Sequence, residues 1–286
     1  MGAWASNLLS RLQNVPLREN LPYLLGRFSG VRSAYGRTIG GFQRVGALPG
    51  ITPAREELVR GPRPGALVEA LEQESAHIGL ELASETVDAI VTACRALPLR
   101  QWFTMRQFRF EDVRDGRLPD GSPALIADVL GVDGIPAART VAHSPRIVAA
   151  LEHYMHYRPI GVDVRVLASF AGDFSDDTWR TYGQTLDFHF DVHSYNFIYA
   201  NYYLTDVDAS SGAHVMVHGT HRKKPLPWLL GQARRSDEEV GRVFASENVR
   251  TIAGPRGLGF LQDSSCYHKA LPPKTRDRLM LHIRYY

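Results

Sequence analysis

The stretch 187–193 reads DFHFDVH, and its spacing of histidine and aspartate is the first indication of the fold. In an extended strand, side chains two residues apart point to the same face, so His189 and Asp191 can reach one interior point. An imidazole and a carboxylate side by side, joined by a second imidazole from another strand, form the 2-His-1-carboxylate facial triad of non-haem iron sites. Asp191 and His193 have the same spacing, so the stretch alone leaves open which histidine pairs with the carboxylate.

The sequence around this stretch has the pattern of many short strands. From Gly161 to Phe170, apolar and polar residues alternate, which predicts a half-buried strand. Further strands are predicted at 185–191, 196–205, 213–217, 257–261 and 278–286. Ser236 and Glu239 form a capping-box pattern that predicts a short helix to about Ala245.

The N-terminal half has helical patterns instead. Apolar residues recur at helical spacing over 66–78, which predicts a first helix. A second helix is predicted over 84–97, with Ser84 as its N-cap. A third is predicted from Ser144, a good cap followed by proline, through Tyr157.

These patterns predict one α+β domain that spans residues 1–286. Its core is predicted to be a double-stranded β-helix, the cupin-like jelly roll, at 161–286. A mainly helical region at 64–160 is predicted to pack on that core. Residues 1–63, rich in Gly, Pro and Arg, are predicted to form an irregular, partly helical arm.

Composition excludes several classes of function. The net charge is only +3, and no basic stripe or stacking platform is visible, so a nucleic-acid partner is not expected. Two distant cysteines exclude a disulfide framework and a zinc ribbon. No apolar run approaches the roughly 18 residues of a membrane helix, and the N-terminus lacks the features of a secretory signal. We therefore expect a cytoplasmic protein without stable membrane insertion, in which the helices and the arm could serve homodimer contacts.

The stretch 196–222 reads NFIYANYYLTDVDASSGAHVMVHGTHR. It resembles the segment that follows the His-x-Asp motif in phytanoyl-CoA dioxygenase-like proteins. There, a strand ending in Leu-Thr-Asp-Val, a glycine turn, a short strand and a Gly-Ser/Thr-His-Arg segment occur in this order. The stretch 257–269 resembles the distal-histidine segment of the family, and 278–281 resembles its terminal strand. The resemblance covers about residues 160–286.

The resemblance implies an oxygenase that uses iron(II), 2-oxoglutarate and dioxygen. Register against the motif at 204–206 selects His189 rather than His193, so the implied metal ligands are His189, Asp191 and His268. A halogenating relative would need a small residue in place of the carboxylate, and Asp191 argues against that reading.

Two further positions are implied to bind the cosubstrate. Arg278 matches the arginine that binds the far carboxylate of 2-oxoglutarate, where a guanidinium supplies a permanently charged, bidentate partner. Asn201 matches a position at which the family often contacts the cosubstrate.

The substrate is inferred only as a class. The segment 171–184 precedes the metal-binding stretch and is interpreted as a mobile lid, from which Trp179 and Tyr182 are expected to reach the substrate. Tyr199, in the aromatic-rich stretch 195–203, is expected to line a fairly apolar pocket. The expected reaction is therefore oxidation of a C–H bond in a small, hydrophobic molecule. The alternatives are desaturation or ring formation on the same scaffold, and a non-catalytic metal-binding module.

Overall fold

The structure is a computed structural model that describes residues 17–286. The α-helices of this part of the chain are α1 (Leu17–Leu25), α2 (Ser29–Arg44), α3 (Pro64–Glu74), α4 (Ser84–Arg95), α5 (Pro136–Ala142), α6 (Pro145–Met155), α7 (Asp176–Thr181), α8 (Leu226–Leu230) and α9 (Asp237–Val243). The strands are β1 (Val59–Arg60), β2 (Ala76–Leu82), β3 (Leu99–Gln101), β4 (Gln107–Phe108), β5 (Ile126–Val129), β6 (Val162–Ser169), β7 (Ile198–Tyr203), β8 (His214–Val217), β9 (Val249–Ile252), β10 (Leu258–Gln262), β11 (His268–Ala270) and β12 (Arg278–Tyr285).

Two antiparallel sheets contain these strands. The larger sheet has the order β1-β2-β10-β7-β12-β6-β5-β3-β4, and the smaller has the order β11-β8-β9. The longest ladder pairs β12 with β6, from Arg278 opposite Ser169 to Tyr285 opposite Val162. The last strand of the chain therefore lies near the middle of the large sheet, between β6 and β7. The predicted α+β class is confirmed, and the double-stranded β-helix topology stays a prediction.

The two faces of the large sheet bury different partners, as the alternation of a strand requires. On β12, Leu281 and Ile283 belong to the main hydrophobic core, which the helices complete. The helical side of this core includes Leu67, Leu71, Ile90, Cys94, Ile147 and Leu151. Met280, on the opposite face of β12, packs in a second cluster with Met216 and Ile252 of the small sheet. The helices thus cover one face, and the small sheet faces the other.

The helices follow the sequence with two corrections. The helix predicted over 66–78 ends at Glu74, because Ser75 has a left-handed backbone (φ 68°) and β2 begins at once after it. The N-cap of α4 is Ala83 rather than Ser84, and no side chain caps this helix. The Ser144 cap is confirmed, because its hydroxyl accepts a hydrogen bond from the Ile147 amide at 3.2 Å. The capping box at Ser236 is also confirmed.

Other differences concern extended segments and the arm. The strand predicted at 185–191 is wrong as a regular strand, since only isolated bridges form there, at Phe188 and His189. Within the predicted irregular arm, residues 17–44 form α1 and α2, separated by a short turn. In the described residues 17–286, no helix is both long and apolar enough to cross a membrane.

The difference between the two serines gives a stability test. Replacing Ser144 with Ala removes a helix cap and a hydrogen bond to Glu57, so the free energy of unfolding should fall by about 1–2 kcal/mol. Ser84→Ala is the matched control and should change it by less than about 0.5 kcal/mol, because Ser84 is exposed. Denaturant titration measures both values. Equal losses in the two variants would mean that Ser84 does cap α4.

Candidate metal centre

Three side chains converge at one point, as the sequence predicts. The ligand atoms of His189, Asp191 and His268 all lie within 4.8 Å of one another. Nε2 of His189 lies 3.8 Å from Oδ1 of Asp191, and Nε2 of His268 lies 3.5 Å from Oδ2 of the same carboxylate. These separations suit three ligands that share one metal ion. Two imidazoles and one carboxylate are the donor set of the facial triad.

Backbone hydrogen bonds hold the ligand segments together. The amide of His189 donates to the carbonyl of His268 at 2.9 Å, and the amide of His268 donates back to the carbonyl of His189 at 2.8 Å. The amide of Asp191 donates to the carbonyl of Ser264 at 2.9 Å. The stretch that carries His189 and Asp191 is therefore fixed against β11 and the turn that precedes it, although it forms no regular strand.

Each histidine is also oriented by its second ring nitrogen. Nδ1 of His189 lies 3.2 Å from the carbonyl oxygen of Asp187, and Nδ1 of His268 lies 3.0 Å from that of Cys266. A carbonyl can only accept, so both Nδ1 atoms carry a hydrogen, and in the neutral form of each ring this leaves the lone pair of Nε2 for a metal. The two rings are thus held in the tautomer that coordination requires.

The electrostatics agree with this assignment. Burial, together with the nearby His268 ring, lowers the pKa of His189 to about 4, which keeps its ring neutral. Burial alone would raise the pKa of Asp191, but the neighbouring histidines His268, His193 and His189 hold it well below its usual range. Neutral imidazoles and an ionised carboxylate are the protonation states of metal ligands.

His193 lies beside this group without completing it. Its Nε2 atom is 3.7 Å from Oδ2 of Asp191, and its side chain is 41% exposed. The converging set contains His189 and His268 with Asp191. The geometry therefore favours the His189–Asp191 pair that the family register selects over the Asp191–His193 pair.

A cavity of about 420 Å³ opens beside the three ligands, and Arg278 lies in its wall. The guanidinium is buried; Nη1 donates to the carbonyl of Gly212, and Nη2 donates to the hydroxyl of Ser169 at 3.0 Å. In the described part of the chain, its Nε has no hydrogen-bond partner and no carboxylate forms an ion pair with it. Burial lowers the pKa of Arg278 below its ordinary value. A buried cation of this kind requires an anion to balance it.

His214 is a cavity residue that the sequence did not single out as functional. It lies in β8, is buried, and stacks on the His268 ring with centroids 5.3 Å apart. Burial, with His268 and Arg278 nearby, lowers its pKa far below the usual value, so the ring is neutral. Its Nε2 has no partner among the described residues. The signal in the sequence was its place in the predicted strand 213–217.

The far end of the cavity carries paired charges. Arg284 of β12 forms an ion pair with Asp163 of β6, and Arg165 of β6 forms a bidentate pair with Asp128. His282 lies opposite Arg165 in the register of β12 and β6, and it lines the same wall. Strand alternation explains this row, because these positions share a face with Arg278. The sequence predicts both strands that carry Asp163, Arg165, His282 and Arg284.

The remaining predicted site residues fall in different places. Tyr199 lines the cavity and stacks on His282, with centroids 4.3 Å apart. Asn201 is buried behind the cavity wall, and its Oδ1 lies 2.5 Å from Nδ1 of His282. Asn201 therefore reaches the site only through His282.

Trp179 and Tyr182 require a correction. Among the described residues that line the cavity, neither is present. Trp179 is fully buried in a small cluster with Leu125 and Ile126, and Tyr182 packs against that cluster. The segment 171–184 contains the helix α7, capped by Ser175, so it is more ordered than a mobile loop. The Trp179 side chain has a large apolar surface, which is buried beneath the segment instead of pointing into the cavity.

Comparison with known proteins shows the fold. No family model matches the chain, and no curated protein matches it. The non-haem α-ketoglutarate-dependent epimerase SnoN from nogalamycin biosynthesis is 16% identical, with a TM-score of 0.53 over 78% of this chain and 82% of that chain. EvdO2 from Micromonospora carbonacea var. aurantiaca is 15% identical, with a TM-score of 0.52 over 80% and 93%. The α-ketoglutarate-dependent carbocyclase SnoK, from the same biosynthesis as SnoN, is 14% identical, with a TM-score of 0.50 over 79% and 87%. The chain thus shares its fold with non-haem α-ketoglutarate-dependent enzymes.

The assignment of ligands can be tested by metal binding. Alanine at His189, Asp191 or His268 should abolish stoichiometric binding of Co(II), because each change leaves two ligands where three converge. His193→Ala is the matched control and should retain about the wild-type affinity. Isothermal titration calorimetry of the metal-free proteins measures the effect. Loss of binding in His193→Ala, with binding kept in His189→Ala, would contradict the assignment.

Proposed function

We propose that this protein is an iron(II)- and 2-oxoglutarate-dependent oxygenase of the phytanoyl-CoA dioxygenase-like kind. The observation that carries the proposal is one cavity with two incomplete sites in its wall. One is a triad of two imidazoles and a carboxylate, and the other is the buried guanidinium of Arg278, which has no anionic partner among residues 17–286. A dicarboxylate that chelates a metal at one end and meets a cation at the other completes both sites.

The residues present fit iron(II). His189, Asp191 and His268 would hold it, and the cavity beside them leaves room for further ligands. The hydrogen bonds from Nδ1 of both histidines keep the coordinating nitrogens oriented. When bound, iron(II) with 2-oxoglutarate and dioxygen supplies an oxidant that can remove a hydrogen atom from a C–H bond.

Arg278 and its neighbours would bind the cosubstrate. Among the described residues, Nε of Arg278 and Nε2 of His214 have no hydrogen-bond partner, and each would gain an acceptor from a carboxylate. Ser169 already orients one arm of the guanidinium from the facing strand. Among the proteins of similar fold, EvdO2 has been solved in complex with 2-oxoglutarate. Asn201 would contribute indirectly, by orienting His282.

The cavity wall changes the inference about the substrate. The expectation of a hydrophobic molecule rested on the aromatic stretch 195–203, from which only Tyr199 lines the cavity. The end away from Arg278 presents the Arg284–Asp163 pair, Arg165 and His193. The wall also contains Trp102, Ile126, Leu167 and Met280. We therefore propose as substrate a small molecule with both apolar and polar groups, which forms hydrogen bonds at this end and is oxidised at a C–H bond near the triad. Hydroxylation, epimerisation and ring closure all begin with such an oxidation, so the outcome depends on the substrate.

Turnover tests the proposal against a non-catalytic module. Wild-type protein loaded with iron(II) should consume dioxygen and convert 2-oxoglutarate to succinate, slowly without substrate. Asp191→Ala should do neither. Oxygen uptake and chromatographic detection of succinate measure the reaction. A protein that binds iron(II) but neither binds nor consumes 2-oxoglutarate would be a binding module and not an oxygenase.

Cosubstrate binding tests the role of Arg278. Arg278→Lys keeps the charge but loses the planar fork, so the dissociation constant for 2-oxoglutarate should rise about 10- to 100-fold, the equivalent of one charge-assisted hydrogen bond. Arg284→Lys is the matched control on the same strand and should leave that constant nearly unchanged, because Arg284 already pairs with Asp163. Anaerobic calorimetry with Co(II)-loaded protein measures both. A larger rise of the dissociation constant in Arg284→Lys than in Arg278→Lys would mean that the cosubstrate binds at the other end of the cavity.

A further inference from the structure

Arg32, a buried arginine of helix α2, forms hydrogen bonds to two segments near the metal ligands, 263–265 and 196–197. Arg32 is 7% exposed, although it lies on a helix whose neighbouring positions reach the surface. Its Nη1 donates to Oδ1 of Asp263 at 2.8 Å and to the hydroxyl of Ser265. Its Nη2 donates to Oδ1 of Asn196 at 3.0 Å and to the carbonyl of Phe197 at 3.2 Å. One guanidinium thus joins residues that are more than sixty positions apart in the sequence.

Asp263 organises the first of these two segments. Its Oδ2 accepts a hydrogen bond from the Tyr154 hydroxyl at 2.8 Å, and its Oδ1 accepts one from the Ser265 amide at 3.0 Å. The amide of Cys266 donates to the Asp263 carbonyl at 3.0 Å, which closes a tight turn. The Asp263 side chain is buried, so its charge depends on Arg32 for compensation.

This turn supplies one hydrogen-bond acceptor to each of two metal ligands, Asp191 and His268. The carbonyl of Ser264 accepts the hydrogen bond from the Asp191 amide, and the carbonyl of Cys266 accepts the one from Nδ1 of His268. A shift of the turn would therefore move a carboxylate ligand and rotate an imidazole ligand together.

The second segment follows the ligands directly. Residues 192–197 connect Asp191 to β7, and Asn196 and Phe197 end that connection. Arg32 bonds to both of them, so it fixes the C-terminal end of the loop 192–197. It also fixes the turn 263–266, which accepts the hydrogen bond from the Asp191 amide just before this loop. Neither contact of Arg32 touches a ligand itself.

We propose that Arg32 is a positioning residue of the metal centre, and that helix α2 is therefore part of the active-site scaffold. The inference rests on the proposed metal site, because it concerns the segments that carry Asp191 and His268. Loss of the guanidinium would release the turn 263–266 and the loop 192–197 from each other. The three ligands would remain present but would no longer be held at one separation.

The test compares metal binding with stability in matched variants. Arg32→Met removes the guanidinium, and Arg32→Lys can keep one ion pair but cannot reach both segments. Arg146→Met is the control, because Arg146 also bonds to one acid, Glu57, and to several backbone carbonyls, but at the junction of α6 with residues 57–62. Co(II) is the probe, measured by calorimetry and by its visible absorption spectrum in folded protein, with melting temperature recorded in parallel.

We expect Arg32→Met to weaken Co(II) binding by about 10-fold or more, the usual effect of losing a group that orients a ligand, and to change the Co(II) spectrum. Arg32→Lys should fall between this variant and wild type. Arg146→Met should lower the melting temperature while keeping wild-type affinity and spectrum. If Arg32→Met does not fold, Arg32→Lys decides by the same criterion.

Two failures are distinguishable. Wild-type protein that binds no Co(II) would refute the metal site and with it the proposed function. Wild-type protein that binds Co(II), with unchanged affinity and spectrum in the folded Arg32 variant, would overturn the positioning role alone.

Discussion

Two backbone hydrogen bonds between His189 and His268 hold the site together. They join a stretch that forms no regular strand to the short strand β11, and so bring ligands from distant parts of the sequence to one point. The Ser264–Asp191 bond extends the contact by two residues and sets the carboxylate beside the imidazoles. The rest of the fold supports this junction: the large sheet supplies the cavity wall, the small sheet carries His268, and the helices cover the face that the cavity does not use.

Buried charge follows a consistent pattern around the site. Asp263 is compensated by Arg32, and Asp163 is compensated by Arg284. Asp191 is stabilised as the anion by the histidines around it. Arg278 alone among these buried or half-buried groups has no partner of opposite charge in the described chain. Because an isolated buried charge is strongly unfavourable, this imbalance supports the proposed anionic ligand. The cavity beside Arg278 leads directly to the triad.

The sequence predicts the parts of the site that lie close together or follow strand alternation. His189 and Asp191 stand two positions apart. His268 and Arg278 were implied by the family resemblance, and the alternation of β12 places Arg278 on the cavity face. The short strands β1 to β5, β9 and β11 were missed, because two to seven residues give little periodicity. The direction of Trp179 was mistaken, since composition alone does not tell which side of a segment is packed. The role of Arg32 was invisible for a different reason: its partners Asp263 and Asn196 are brought to it only by the tertiary fold.

A crystal grown without oxygen and soaked with iron(II) and 2-oxoglutarate tests the central claim most directly. The account predicts metal density between His189, Asp191 and His268, at the roughly 2.0–2.2 Å distances of imidazole and carboxylate ligands. It also predicts the far carboxylate of 2-oxoglutarate within hydrogen-bond distance of Arg278. Metal bound through His193 in place of His189, or a dicarboxylate seated at the Arg284 end of the cavity, would contradict it.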